Sequence, residues 1–196
     1  MIKQRIQIKY VHQFNLINNF SDNTHIADYT EQTKRDLIKR SVEFFSPNPP
    51  IDINYFTINN PPLLDIDGIE FDNNSFVHSN GNPKSQCEAV IFPTVSTNTS
   101  WVLFCELKYS SLPRNNNRNL RKAIKQVLKT RYYYFQNGII TIENTAYLIA
   151  SLPIQSEPFT NFSLTPNYLL NLKRKRNIVL RLKNSVEIKN SELLIV

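Results

Sequence analysis

Glu88 and Glu106 are carboxylates placed where burial should disfavour them. The first lies in Cys87-Glu88-Ala89-Val90-Ile91-Phe92 and the second in Trp101-Val102-Leu103-Phe104-Cys105-Glu106-Leu107-Lys108. Both runs read as buried β-strands. An ionised carboxylate in apolar surroundings is costly unless a cation or strong donors compensate it. The midpoint of the two positions is Thr97, inside the polar stretch Ser96-Thr97-Asn98-Thr99-Ser100, where composition also places a turn. A hairpin symmetric about Thr97 sets Glu88 opposite Glu106 on one face, and Lys108, two residues further, joins that face. Like charges facing each other across a sheet are destabilising. Lys108 compensates them in part, and a divalent cation would complete the compensation.

An acid, a strand-loop-strand and then Glu106-Leu107-Lys108 resembles the PD-(D/E)XK nuclease superfamily. The resemblance spans residues 86 to 152. It implies an α/β (α+β) restriction-endonuclease-like core, a mixed central sheet flanked by helices in the order αβββαβ. It also implies a metal-dependent nuclease that hydrolyses phosphodiester bonds of nucleic acid, DNA ahead of RNA, leaving a 5′-phosphate. Glu88, Glu106 and the Leu107 carbonyl would hold Mg²⁺ or Mn²⁺, and Lys108 would orient or deprotonate the attacking water. Gln126, on the following helix, would reach back toward the metal, as an acid of the N-terminal helix such as Glu43 sometimes does. Two features depart from the pattern. No proline precedes the first acid, and that acid is Glu where Asp is commoner, which keeps Asp72 as an alternative. A nucleic-acid-binding or assembly protein that kept this fold without turnover is the second reading. A basic interaction domain with a coincidental Glu-x-Lys is the third. A homodimer is compatible with the resemblance.

Charge is distributed in a way that suits a polyanionic partner. Residues 1–108 carry nine basic and twelve acidic residues; residues 109–136 carry seven basic residues and no acid; residues 137–196 carry seven basic and four acidic residues. Arg114, Arg118, Arg121, Lys122, Lys125 and Lys129 lie just beyond the Glu-x-Lys strand and are the expected nucleic-acid contacts. Lys173-Arg174-Lys175-Arg176 is a second basic run, either another backbone contact or a solvated turn. Three glycines in 196 residues leave no glycine-rich phosphate cradle. Cys87 and Cys105 read as buried thiols of a reducing compartment. His12, His25 and His78 are scattered, which argues against zinc. No apolar run approaches membrane-spanning length, so a cytoplasmic protein without membrane contact is expected.

The elements that must position these groups follow from periodicity. The chain reads as a single domain, with a core at about 28–152 and an extension at 153–196. Ile2 and Arg5-Ile6-Gln7-Ile8 suggest an opening strand. Asp28-x-x-Glu31 resembles a capping box, predicting a helix to about Phe45 with Leu37, Ile38, Val42 and Phe45 inward. Short strands are expected at Tyr55–Ile58 and Ile69–Phe71, before a turn at Asn80-Gly81-Asn82-Pro83. Leu120, Ala123, Ile124, Val127, Leu128, Arg131 and Phe135 share one arc of a helix that ends at Gly138, with Arg118, Lys122, Lys125 and Lys129 opposite. Tyr132-Tyr133-Tyr134 is expected to pack rather than to stack on bases. Residues 146–151 predict a buried strand parallel to the Glu106 strand. A short helix near Tyr168–Arg174 and a hairpin of Ile178–Leu182 with Val186–Ile188 complete the chain.

Overall fold

Apolar alternation through the middle of the chain becomes a continuous sheet in a computed structural model that describes residues 1–196. In chain order the elements begin with helices α1 (Ile2–Lys9) and α2 (Val11–Phe14) and strands β1 (Ile17–Phe20), β2 (Thr24–Asp28) and β3 (Val42–Phe45). Strands β4 (Phe56–Asn59), β5 (Ile66–Glu70), β6 (Ala89–Pro93) and β7 (Val102–Leu107) follow, then helix α3 (Asn116–Gln136) and strand β8 (Ala146–Ser151). Helix α4 (Pro166–Arg176) and strands β9 (Ile178–Leu182), β10 (Ser185–Ile188) and β11 (Leu194–Ile195) close the chain.

Six strands form one sheet in the order β1-β5-β6-β7-β8-β9, and five form another in the order β11-β10-β4-β2-β3. In the larger sheet β5, β6 and β7 are antiparallel neighbours, whereas β7, β8 and β9 run parallel. Parallel neighbours need a crossover, and α3 and α4 supply the two. The result is a mixed α/β protein with two mixed sheets and four helices. The resemblance implies a central sheet flanked by helices; here the smaller sheet covers one face and helices cover the other. On that face Ile2 and Ile6 of α1, Leu120, Ala123 and Val127 of α3 and Leu172 of α4 pack against Val90, Phe92, Phe104 and Leu148. The opposite face, with Ala89, Ile91, Leu103 and Cys105, is covered by Ile26, Phe56, Ile58 and Val186 of the smaller sheet.

Four sequence expectations are corrected. The opening strand is a helix, because Ile2 and Ile6 are buried four residues apart while Ile8 is exposed. The helix expected over 28–45 is a loop followed by β3. Asp28 caps no helix there, since its Oδ1 accepts the Thr30 N–H in a tight turn, and Leu37 and Ile38 lie in solvent. Instead Thr33 bonds both main-chain polar groups of Arg40, whose guanidinium lies 3.4 Å from the centre of the Tyr29 ring. The proposed C-terminal hairpin is split between the sheets: β9 pairs with β8, and β10 with β4 and β11. On α3 the buried arc is rotated, with Thr130 and Tyr134 inside and Phe135 outside. Of the three tyrosines expected to pack, Tyr134 is fully buried and donates to Gln13 Oε1 (2.9 Å), whereas Tyr132 is exposed, because it faces away from the sheet.

Candidate functional site

Strands β6 and β7 meet in the register that symmetry about Thr97 requires, with Ala89 opposite Cys105 and Ile91 opposite Leu103. The ladder ends one pair short of the acids. There the Glu88 N–H donates to the Cys105 carbonyl (3.1 Å), one residue out of register. Both carboxylates nevertheless converge on one ammonium. Lys108 Nζ donates to Glu106 Oε1 and lies 3.9 Å from Glu88 Oε1. The Glu106 side chain is entirely buried, while Glu88 and Lys108 are about one-fifth exposed at 21% and 19%. The geometry is therefore a dry carboxylate at the base with a second acid and an ammonium opening toward solvent.

The backbone that carries Glu88 is held by α3. Gln126 Nε2 donates to the Gln86 carbonyl (2.8 Å), and the Cys87 N–H donates to Thr130 Oγ1 (2.8 Å). Gln126 and Thr130 are one turn apart on the helix, so a single face grips two consecutive residues before the acid. Gln126 lines the same cleft as Glu88, with its amide nitrogen committed to Gln86 and its Oε1 buried without a partner. Leu107, the last residue of β7, is buried between Glu106 and Lys108, and the Lys108 N–H extends the parallel ladder to the Ser151 carbonyl (2.9 Å).

Electrostatics reports how crowded this corner is. Burial raises the Glu88 carboxyl well above its ordinary range, and the charges of Glu106 and Asp28 push the same way against Lys108. Burial also raises Glu106, to about 7, with Lys108 opposing. For Lys108, burial favours the neutral amine, but the charges of Glu106 and Glu88 outweigh it and the net shift is upward. Asp28 acts on all three groups. It ends β2 in the smaller sheet, and its N–H donates to Tyr109 Oη (3.1 Å), so the two sheets meet here. Sequence reasoning used Asp28 as a helix cap and missed it as a member of the site. The available signal was slight, the apolar pair Ile26-Ala27 running into an acid.

The other candidates separate. Asp72 lines the cleft of Glu88 but bonds His12 (2.8 Å) and Ser75 (2.9 Å). Glu43 is on β3, not on a helix, and takes a two-pronged contact from Arg40 (2.6 and 2.8 Å). Arg114, Arg118, Arg121, Lys122 and Lys125 are exposed and Lys129 half-buried. From Lys122 on the flank of Gln126, the cations of α3 fan round to Arg121 near α4. Lys173, Arg174, Lys175 and Arg176 are exposed at the end of α4. Cys87 and Cys105 are free and buried, with both thiols pushed up by burial.

The donor set suits a hard cation in kind: carboxylate oxygens, one of which, Glu106 Oε2, is buried with no partner. No group of three or more His, Cys, Asp or Glu side chains gathers as a metal cage. No protein-family model, curated protein or solved structure matches the chain. No helix is long and apolar enough to cross a membrane.

Proposed function

We propose that the protein is a metal-dependent nuclease of the PD-(D/E)XK type that hydrolyses phosphodiester bonds, with DNA as the principal substrate. The observation that carries this reading is the convergence of Glu88, Glu106 and Lys108 at the end of the β6–β7 hairpin. The order β5-β6-β7-α3-β8, antiparallel then parallel, supports it as the strand-helix-strand order that the sequence resemblance implies. The basic, acid-free α3 beside the site supports a polyanionic substrate.

Glu88, Glu106 and the Leu107 carbonyl would hold Mg²⁺ or Mn²⁺; two carboxylates suffice for Mg²⁺, which keeps several of its waters. Such an ion supplies charge for a phosphate oxygen and makes water acidic enough to attack at neutral pH. Lys108, an ammonium donor at the mouth of the site, positions the attacking water and offsets negative charge as the phosphate becomes pentacovalent. Gln126 and Thr130 hold the Gln86-Cys87 backbone, and so set where the Glu88 carboxylate stands.

Cleavage of single- and double-stranded DNA and RNA in Mg²⁺ or Mn²⁺ tests the reading. Lys108→Ala should lower the rate by roughly a hundredfold or more. Calorimetric titration should show Mn²⁺ binding that Glu106→Ala abolishes. A second reading, a nucleic-acid-binding module without turnover, is favoured by the Lys108–Glu106 contact, which already gives the buried carboxylate a cation. Nucleic-acid binding with no Mn²⁺ uptake and no cleavage would select it.

A further inference from the structure

The outer face of α3 forms a groove with α4 and the loop before it. Its central part has a volume near 510 Å³ and is walled by Arg121, Lys125, Lys129 and Arg176 on apolar ground from Ile124 and Leu128. Three rings reach into it, Tyr132 from α3, Phe162 from the loop and Tyr168 from α4. Further hollows adjoin it at both ends. It shares Arg121 and Phe162 with a hollow at Asn117, and Tyr168 and Arg176 with one that reaches Lys175. No acidic residue lines any of the three. From Asn117 to Tyr132 the helix alone spans about 22 Å at 1.5 Å per residue.

We propose that this groove holds a single nucleic-acid strand, with bases stacked on Tyr132 and Tyr168 and phosphates on the cations between them. The inference rests on the nucleic-acid reading above and adds a strand-selective track to it. Charge complementarity excludes a basic partner, and the rings choose among anions. A duplex offers its phosphates but keeps its base faces stacked inside, whereas a single strand offers both. Tyr132 and Tyr168 remain 51% and 39% exposed, so their ring faces are not consumed by packing. The walls are fixed in place: Arg131, buried under Phe135, donates to the Arg176 carbonyl (3.2 Å) and ties α3 to the end of α4. At its Asn117 end the groove is anchored to the chain that leaves β7. Asn116 at the start of α3 bonds Gln155 (2.9 Å), and Gln155 bonds the Ser110 carbonyl (2.5 Å) on the chain leaving β7 two residues after Lys108.

Fluorescence anisotropy tests this with a labelled DNA oligonucleotide of about ten nucleotides, single-stranded or annealed, in EDTA so that no cleavage occurs. The single strand should bind more tightly than the duplex. Tyr132→Ala/Tyr168→Ala should weaken single-strand binding about tenfold or more and leave duplex binding and the thermal midpoint unchanged. Arg121→Ala/Lys125→Ala should weaken both and reduce the salt dependence. Equal affinity for the two forms, with the tyrosine variant binding like the parent, overturns the inference even if the protein cleaves DNA. Ring-dependent single-strand binding without metal-dependent cleavage keeps the groove and removes the nuclease.

Discussion

Glu106 is the residue with the sharpest conflict between folding and use. Its side chain is fully buried, one oxygen has no partner, and Glu88 and Asp28 share the single ammonium of Lys108. Removing its charge without changing its shape should therefore relieve the cation-free protein. Glu106→Gln is expected to raise stability in EDTA by about 1–2 kcal/mol, read as a higher thermal midpoint, while abolishing Mn²⁺ binding. A lower midpoint would mean that the Lys108–Glu106 pair is itself the stabilising feature. His25 on β2 makes a separate prediction. It is buried between Thr57 Oγ1 and the Pro47 carbonyl, each 3.2 Å from a ring nitrogen, and packs edge-on against Tyr55. Burial lowers its pKa below the ordinary value of 6.5, against the Pro47 bond. The unfolded chain then takes up the proton first, so the stability His25 contributes is complete above pH 6.5 and is lost as pH falls through the folded value. Thermal melts from pH 8 to 5 should show this loss, and His25→Gln should flatten that part of the profile.

At the scale of elements, Gly68 of β5 lets the two sheets approach closely. A methyl group there would lie 2.9 Å from the Phe44 ring of β3 and 3.2 Å from the Phe20 ring of β1. Gly68→Ala should cost about 1–3 kcal/mol, visible in denaturant melts, because two packed rings must shift together. An unchanged midpoint would mean that the rings move freely. The elements also show what was legible from sequence. Strands β6, β7 and β8 and helix α3 carry dense apolar runs with a clear period, and β8 coincides with the predicted residues 146–151. Residues 28–45 lacked that density. Their helix rested on a local capping pattern and four apolar positions, two of which, Leu37 and Ile38, have no core to face. Contacts distant in sequence decide such a segment: β3 exists because β2 offers it a partner. At the site, the hairpin arithmetic foretold the approach of Glu88 to Glu106, since both belong to one local unit. Asp28 was invisible because it arrives from the other sheet.

For the whole molecule, the asymmetry of charge would govern the proposed association with nucleic acid. The cations are concentrated on α3 and α4, while the acids lie mostly before Lys108. Nucleic-acid affinity should fall steeply with salt, and Arg118→Ala/Lys122→Ala should lower the slope of log affinity against log salt by about 1.4–1.8. An unchanged slope would place the phosphate contacts elsewhere on the surface.

Each acid of the hairpin is chained to a sulfur sealed from solvent: Cys87 precedes Glu88, and Cys105 precedes Glu106. A thiol-modifying reagent can reach Cys87 only when α3 lifts away, and Cys105 only when the smaller sheet does. The rate of alkylation thus becomes a clock for breathing of the carboxylate corner, readable by mass spectrometry with no engineered label. A cation or strand that closes the corner should slow that clock.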